Sequence, residues 1–283
     1  MKTHTSFTKL ASALAVCALL ALPAVVRAAD YYLQRNQSQG WSWHTVNSGT
    51  GWFATPTGGN SISEIDPTGD YQTNGFQLRT REAKGHDTDH FPGSRLILNG
   101  ANGGKGADVG TLVLKSMGDA VAKVDVLIAE QAAVTTGSGG APQNLHVGTF
   151  SQTGTTTFIA NAPGRGFNLA FDKLAGGGAM TFVERDAPAG TTSVNLAVAD
   201  AAGFTGTIAL QGGVLGFDQD LRAPKATLEL ASGAGINLNG KTVSVAALKV
   251  GDETLKAGDH TAADLKSRGL KASGAGKITV GAK

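Results

Sequence analysis

Short alternating apolar words recur along this chain, separated by Gly, Asn, Asp, Ser and Thr, and this pattern limits the available folds more than any single motif. The words are Leu96-Ile97-Leu98, Thr111-Leu112-Val113-Leu114, Val124-Asp125-Val126-Leu127-Ile128, Phe167-Asn168-Leu169-Ala170-Phe171, Thr207-Ile208-Ala209-Leu210, Ala226-Thr227-Leu228-Glu229-Leu230 and Thr242-Val243-Ser244-Val245. A period of two sends successive side chains to opposite faces of an extended strand. Helical periodicity is almost absent between the words. Many lie roughly ten to twenty-five residues apart, the spacing of a chain that winds the same turn repeatedly. The expectation is an all-β fold, a solenoid of stacked parallel strands. Leu96, Leu98, Leu112, Leu114, Leu228, Leu230, Val243 and Val245 should face its interior.

The N-terminus reads as a targeting segment. Lys2 and Lys9 precede an apolar run from Leu10 to Val26, and Val26-Arg27-Ala28 places small residues where a signal peptidase cuts. The expected organisation is a signal peptide over 1–28, an N-terminal cap segment over 29–74 and a solenoid over 75–283. Cys17, the only cysteine, falls inside the leader, so the mature chain is expected to hold no disulfide and no thiolate-bound metal. Loss of Lys2, Lys9 and Arg27 takes 24 basic residues to 21, against 22 acidic ones. No basic cluster suggests nucleic acid, and no later apolar run suggests a membrane span. The expected location is outside the cell or on its surface.

Tyr31, Tyr32, Trp41, Trp43, Trp52 and Tyr71 are all the tyrosines and tryptophans of the chain. Their confinement to one segment suggests a separate job for it. Terminal units of a repeat stack must be atypical, which favours a cap of buried rings. The alternative is an aromatic platform for sugar rings built from Trp41, Trp43 and Trp52. Trp41 and Trp43 would share one face if that segment were extended.

Two words share a lead-in, Phe91-Pro92-Gly93 and Phe204-Thr205-Gly206, followed by alternation. The glycine is expected to supply positive φ at a corner. Asn99-Gly100 and Asn239-Gly240 are hairpin dipeptides and keep an antiparallel sandwich open as the competing fold. Thr261-Ala262-Ala263-Asp264 fits a capping box, with Gly269 placed to end a short helix. Gly276 to Val280 should return to the sheet.

The segment Phe204 to Leu215 resembles the autotransporter-associated β-strand repeat, in which an aromatic-x-Gly turn precedes alternating strands. Val245 to Val280 resembles the closing element of large secreted β-helix proteins of the pectin-lyase-like kind, and Thr80 to Leu98 an early turn of the same proteins. The resemblance implies a right-handed parallel β-helix displayed outside the cell, and no catalytic residue. Nothing after Val280 resembles the membrane barrel of true autotransporters.

The densest polar cluster is Arg79, Arg81, Glu82, Lys84, His86, Asp87, Asp89 and His90. His86, Asp87, Asp89 and His90 are the residue types of a cation site, and Arg79 or Arg81 could clamp an acidic sugar. A solvated loop carries the same residues. Gly103 to Val109 matches one copy of a calcium-roll pattern, which needs tandem copies to bind. GxSxG, HExxH and P-loop motifs are absent. Asp218 and Asp220 read as a solvated face and His146 as outward-pointing. These observations favour a non-catalytic structural or adhesion-type module with no cofactor. Its expected partners are extracellular polysaccharide or other surface proteins. The alternative is a carbohydrate-active protein, either a glycan binder or a β-helix lyase.

Overall fold

The computed structural model describes residues 28–38, 41–45, 51–80, 88–101, 106–115, 119–137, 142–161, 165–185 and 192–281. The expected leader, Ala28 apart, lies outside them. Strand residues make up 59% and helical residues 2% of the described residues, and parallel pairing between successive coils dominates. The fold is a parallel β-solenoid.

Strand Val121–Thr136 displays the layout of one coil. Its start pairs with Thr88–His90, its middle with Arg95–Leu98 and its end with Gly110–Leu114, all in parallel. Strand Gln143–Ala160 repeats that path in the register Ala122↔Leu145, Leu127↔Phe150 and Val134↔Phe158. Three lanes of sheet result. The first lane continues through Phe167–Gly176, Ser193–Asp200, Val214–Phe217, Gly235–Asn237 and Lys271–Ser273. The third runs on through Ala179–Glu184, Thr207–Leu210 and Leu221–Leu230 to Lys241–Val250. The second begins with Asp30–Leu33 and Asp70–Gln72, inside the segment expected to be a separate cap, and continues into Arg95–Leu98.

Alternation along each strand and register between strands together build the core. Ala122, Leu145, Leu169, Leu196 and Phe217 stack in the first lane, all buried. Leu112, Val134, Phe158, Phe182, Leu210 and Leu230 do so in the third. Neighbouring coils lie about 4.8 Å apart, so rings at equivalent positions touch. Phe158 and Phe182 have centroids 5.2 Å apart, and Phe150 meets Phe171, which sits at a different register position of the next coil, at 5.0 Å. Each buried Leu or Phe contributes about 1.5–3 kcal/mol relative to exposure. All eight residues expected to face inward are buried.

The corners differ from the sequence expectation in their chemistry. Gly93 and Gly206 do not adopt positive φ. A Cβ on Gly206 would lie 1.9 Å from the Gly178 carbonyl oxygen, and one on Gly178 would lie 1.9 Å from that of Gly154. Close approach of stacked coils, rather than a left-handed turn, excludes side chains there. Positive φ appears instead at Asn74-Gly75 (51° and 77°) and Asn239-Gly240 (49° and 77°). The second pair has hairpin dihedrals but makes no hairpin. It carries the chain from Gly235–Asn237 to Lys241–Val250, which lie in different lanes and pair with other coils.

Among the described residues, antiparallel strands occur only at the ends. Trp52–Phe53 covers Asp30–Leu33, Glu253–Thr254 covers the end of Lys241–Val250, and Gly258–Thr261 covers Gly276–Val280. Gly276–Val280 itself returns in parallel to Lys241–Val250, as expected. Covering the terminal strands removes edges that would template pairing with another chain. The helix α1, Ala262–Lys266, has the expected capping box between Thr261 and Asp264 and buries Leu265.

Candidate functional site

Several of the residues singled out in the sequence lie in the first coils, and some of them serve the interior. Trp43 and Trp52 are fully buried. Trp52 meets Tyr71 edge-on with centroids 4.9 Å apart, and Phe91 packs against Trp43 at 5.6 Å and Tyr71 at 5.5 Å. Trp52 Nε1 donates to the Trp43 carbonyl at 3.0 Å. Neither indole presents a face to solvent. Trp41 is half-buried. The expected extended segment is a turn, closed by Thr45 N donating to Ser42 O at 2.8 Å, so Trp41 and Trp43 do not form a shared platform.

Tyr31 and Tyr71 belong to the same cluster. Tyr31 stacks on Tyr71 at 4.9 Å. Tyr71 Oη accepts from Asp66 N at 2.8 Å and donates to Asp66 O at 3.1 Å. Burial raises the Tyr71 phenol well above its ordinary pKa. Tyr31 shifts the same way through burial and then the Asp66 charge.

Of the candidate cation ligands, His86 and Asp87 lie outside the described residues. Asp89 and His90 are consecutive on the strand Thr88–His90 and therefore point to opposite sides. Asp89 is fully buried and meets His44 Nε2 at 2.9 Å. His90 is exposed and bridges to Asp125 on the next coil at 3.0 Å. The arrangement repeats farther along, where His146 meets Asp172 at 2.9 Å. These pairs stitch coil to coil. Among the described residues no group of three or more His, Cys, Asp or Glu is placed to hold a metal.

Two polar arrangements were not read from the sequence. Outward residues Asn144, Asn168 and Asn195 occupy one register position in the first lane. Asn168 Nδ2 donates to Asn144 Oδ1 at 2.7 Å, and Asn195 Nδ2 donates to Asn168 Oδ1 at 2.9 Å. The signal was present as Asn-Leu at 144–145, 168–169 and 195–196, each followed two residues on by an apolar residue.

The second arrangement lies on the outer side of the second lane, where Asp30, Asp70 and Arg95 stack in register. Asp70 is 2% exposed. Arg95 holds it by a fork, Nε to Oδ1 at 2.6 Å and Nη2 to Oδ2. The hydrogen bonds that Arg95 donates to Asp70, then the charges of Asp70 and Asp30, raise the pKa of the guanidinium against the opposing effect of burial. Asn99 Nδ2 donates to Gln72 Oε1 at 2.9 Å, and Gln72 Nε2 donates to Asp30 Oδ1 at 3.1 Å. Glu130 and Gln131 also line an open depression of about 460 Å³ over these residues.

The class that this fold defines is the β-solenoid. No protein family, curated protein or solved structure matches the chain.

Proposed function

We propose that the chain is a non-catalytic structural or adhesion-type module, secreted or held at the cell surface. In this reading its coils are right-handed and of the autotransporter-associated kind, and residues 1–28 are removed on export. The supporting observation is the use made of the chemically capable residues. Trp43 and Trp52 fill the first coils, and Asp89 is spent on His44. His90 and His146 bridge coils through Asp125 and Asp172. A rod stitched in this way offers extended, rigid outer faces for contact with matrix or neighbouring proteins. The aromatic platform considered as an alternative retains only Trp41 as a partly exposed indole.

Expression with its own leader in a diderm host tests the reading. The expected result is a mature N-terminus at Ala29, protein in the surface or medium fraction, and greater retention of bearing cells on matrix-coated plates. Cytoplasmic retention of an uncut chain, or unsaturated products released from polyuronate, would overturn it.

A further inference from the structure

The outer side of the third lane carries no charge over five successive coils, and its residues fall into a two-dimensional array. Thr111, Ala133, Thr157, Thr181 and Ala209 form one column in register. Val113, Thr135, Ile159 and Val183 form the next. Thr155, Ala179 and Thr207 flank the first column on its other side. The alternating neighbours Leu112, Val134, Phe158, Phe182 and Leu210 are buried, so the three columns face out. Charge begins only beyond the array, with Arg79 one coil before Val113 and the Glu229–Lys249 pair after Ala209. The other lanes differ. The first presents His146 and Asp172 outward, and the second Asp30, Asp70 and Arg95.

The array is regular in both directions. Its columns lie about 6.7 Å apart, twice the rise per strand residue, and its coils about 4.8 Å apart. The register shift between the strands Val121–Thr136 and Gln143–Ala160 falls between Ala129 and Gln131, before the columns begin. Both spacings lie close to the oxygen repeats on the prism face of hexagonal ice. Branching at Cβ restricts χ1, so hydroxyls and methyls are held at these spacings before any contact. Among the described residues, the hydroxyls of Thr111, Thr157 and Thr181 have no hydrogen-bond partner, whereas Thr153 and Thr205 spend theirs on backbone carbonyls.

The chemistry selects the same occupant. Ice is uncharged, and an ionised side chain pressed against it would lose hydration without gaining a counter-charge. Hydroxyls both donate and accept, so they can take the place of lattice oxygens, while the methyls fill the hollows between them. Sugar rings stack on aromatic faces, and the array holds none. Three columns and five coils span about 13 by 19 Å at these spacings, well short of the ~800 Å² per partner of a stable protein interface.

We propose that this face binds ice, adsorbing to the prism surface through its threonine and β-branched columns. Such adsorption is a function additional to the contact role proposed above and independent of it.

The test is to grow single ice crystals in a solution of the purified full chain and follow their shape and the gap between melting and growth temperatures. The expected result is faceted crystals, a gap that grows with protein concentration, and enrichment of the chain in slowly grown ice. Thr157→Tyr places a ring at the centre of the array and should abolish most of the gap while leaving the melting temperature of the protein unchanged. Thr181→Tyr, on the next coil, gives the same reading should Thr157→Tyr fail to fold. Ala170→Tyr, on the outer side of the first lane, should leave the gap as it is. Rounded crystals with no gap would overturn the proposal, as would a folded Thr157→Tyr or Thr181→Tyr that matches the wild type. Equal loss in Ala170→Tyr would also overturn it, as would a dimer in light scattering that Thr157→Tyr dissociates, which would assign the face to a second copy.

Discussion

Each strand residue has one side for the core and one for solvent, and adjacent positions should respond oppositely to change. Leu228 is fully buried between Ile208 and Leu248, whereas Glu229 points outward and meets Lys249 at 2.7 Å. Leu228→Asp should cost at least several kcal/mol, because an unpaired carboxylate enters an aliphatic column. Glu229→Ala should cost about 1 kcal/mol or less, as exposed ion pairs do. Denaturant titration of both variants checks the assignment, and comparable losses would refute it. The same logic separates the indoles. Trp43→Ala should lose about 3–5 kcal/mol and Trp41→Ala far less, read by thermal unfolding. At the corners, Gly206→Ala must push against the Gly178 carbonyl, while Gly203 has nothing within 4 Å of an added Cβ. Gly206→Ala should therefore lower the melting temperature and Gly203→Ala should not. Inward residues were legible because alternation marks them within a few positions of chain. Close approach between coils was not legible, because the atom that excludes a side chain at Gly206 belongs to a residue twenty-eight positions earlier, Gly178.

An element of this fold is a register column drawn from several coils, and side-chain amides can run along it. In the column Asn144, Asn168, Asn195, the central amide donates to one neighbour and accepts from the other. Asn168→Ala removes both bonds, where Asn195→Ala removes one. The expected loss is about 1 kcal/mol per bond, so Asn168→Ala should be the more destabilising in denaturant titration. Equal effects would mean that the column adds nothing to its parts. The next coil ends the column with Gly216, where a Cβ would lie 2.8 Å from Asn195 Oδ1. Strand words and the capped helix could be read from sequence because their signals are local. The amide column required aligning words 24 and 27 residues apart, and the Asp30–Asp70–Arg95 stack spans gaps of 40 and 25 residues with no shared wording around them. The expected Trp41–Trp43 face failed for the opposite reason. It assumed extended backbone where a Ser42–Thr45 turn intervenes.

For the whole molecule, the parallel stack is bounded by its two ends, and the C-terminal closure carries a pH dependence that the rest of the rod need not share. Asp259 accepts from Lys277 Nζ and Thr279 Oγ1, both at 2.7 Å, and joins Gly258–Thr261 to Gly276–Val280. These bonds, with the Lys277 charge, hold its pKa below the ordinary 3.8. Asp264 is likewise lowered, first by the Thr261 backbone N–H and then by its hydroxyl, within the capping box of α1. A depressed carboxylate pKa gives stability that is present above the unfolded value and is lost as pH falls through the folded value. The closing element should therefore loosen only as pH drops below 3.8. Both groups are exposed, so the effect belongs to local opening of the end rather than to global unfolding. Amide exchange across Gly258–Thr261 and Gly276–Val280 should accelerate below that pH beyond its intrinsic pH dependence, while exchange in Val121–Thr136 should not. In the Asp259→Asn, Asp264→Asn double variant that extra acid response should disappear and protection at neutral pH should fall. Persistence of the acid response in the double variant would place the sensitive groups elsewhere in the coil.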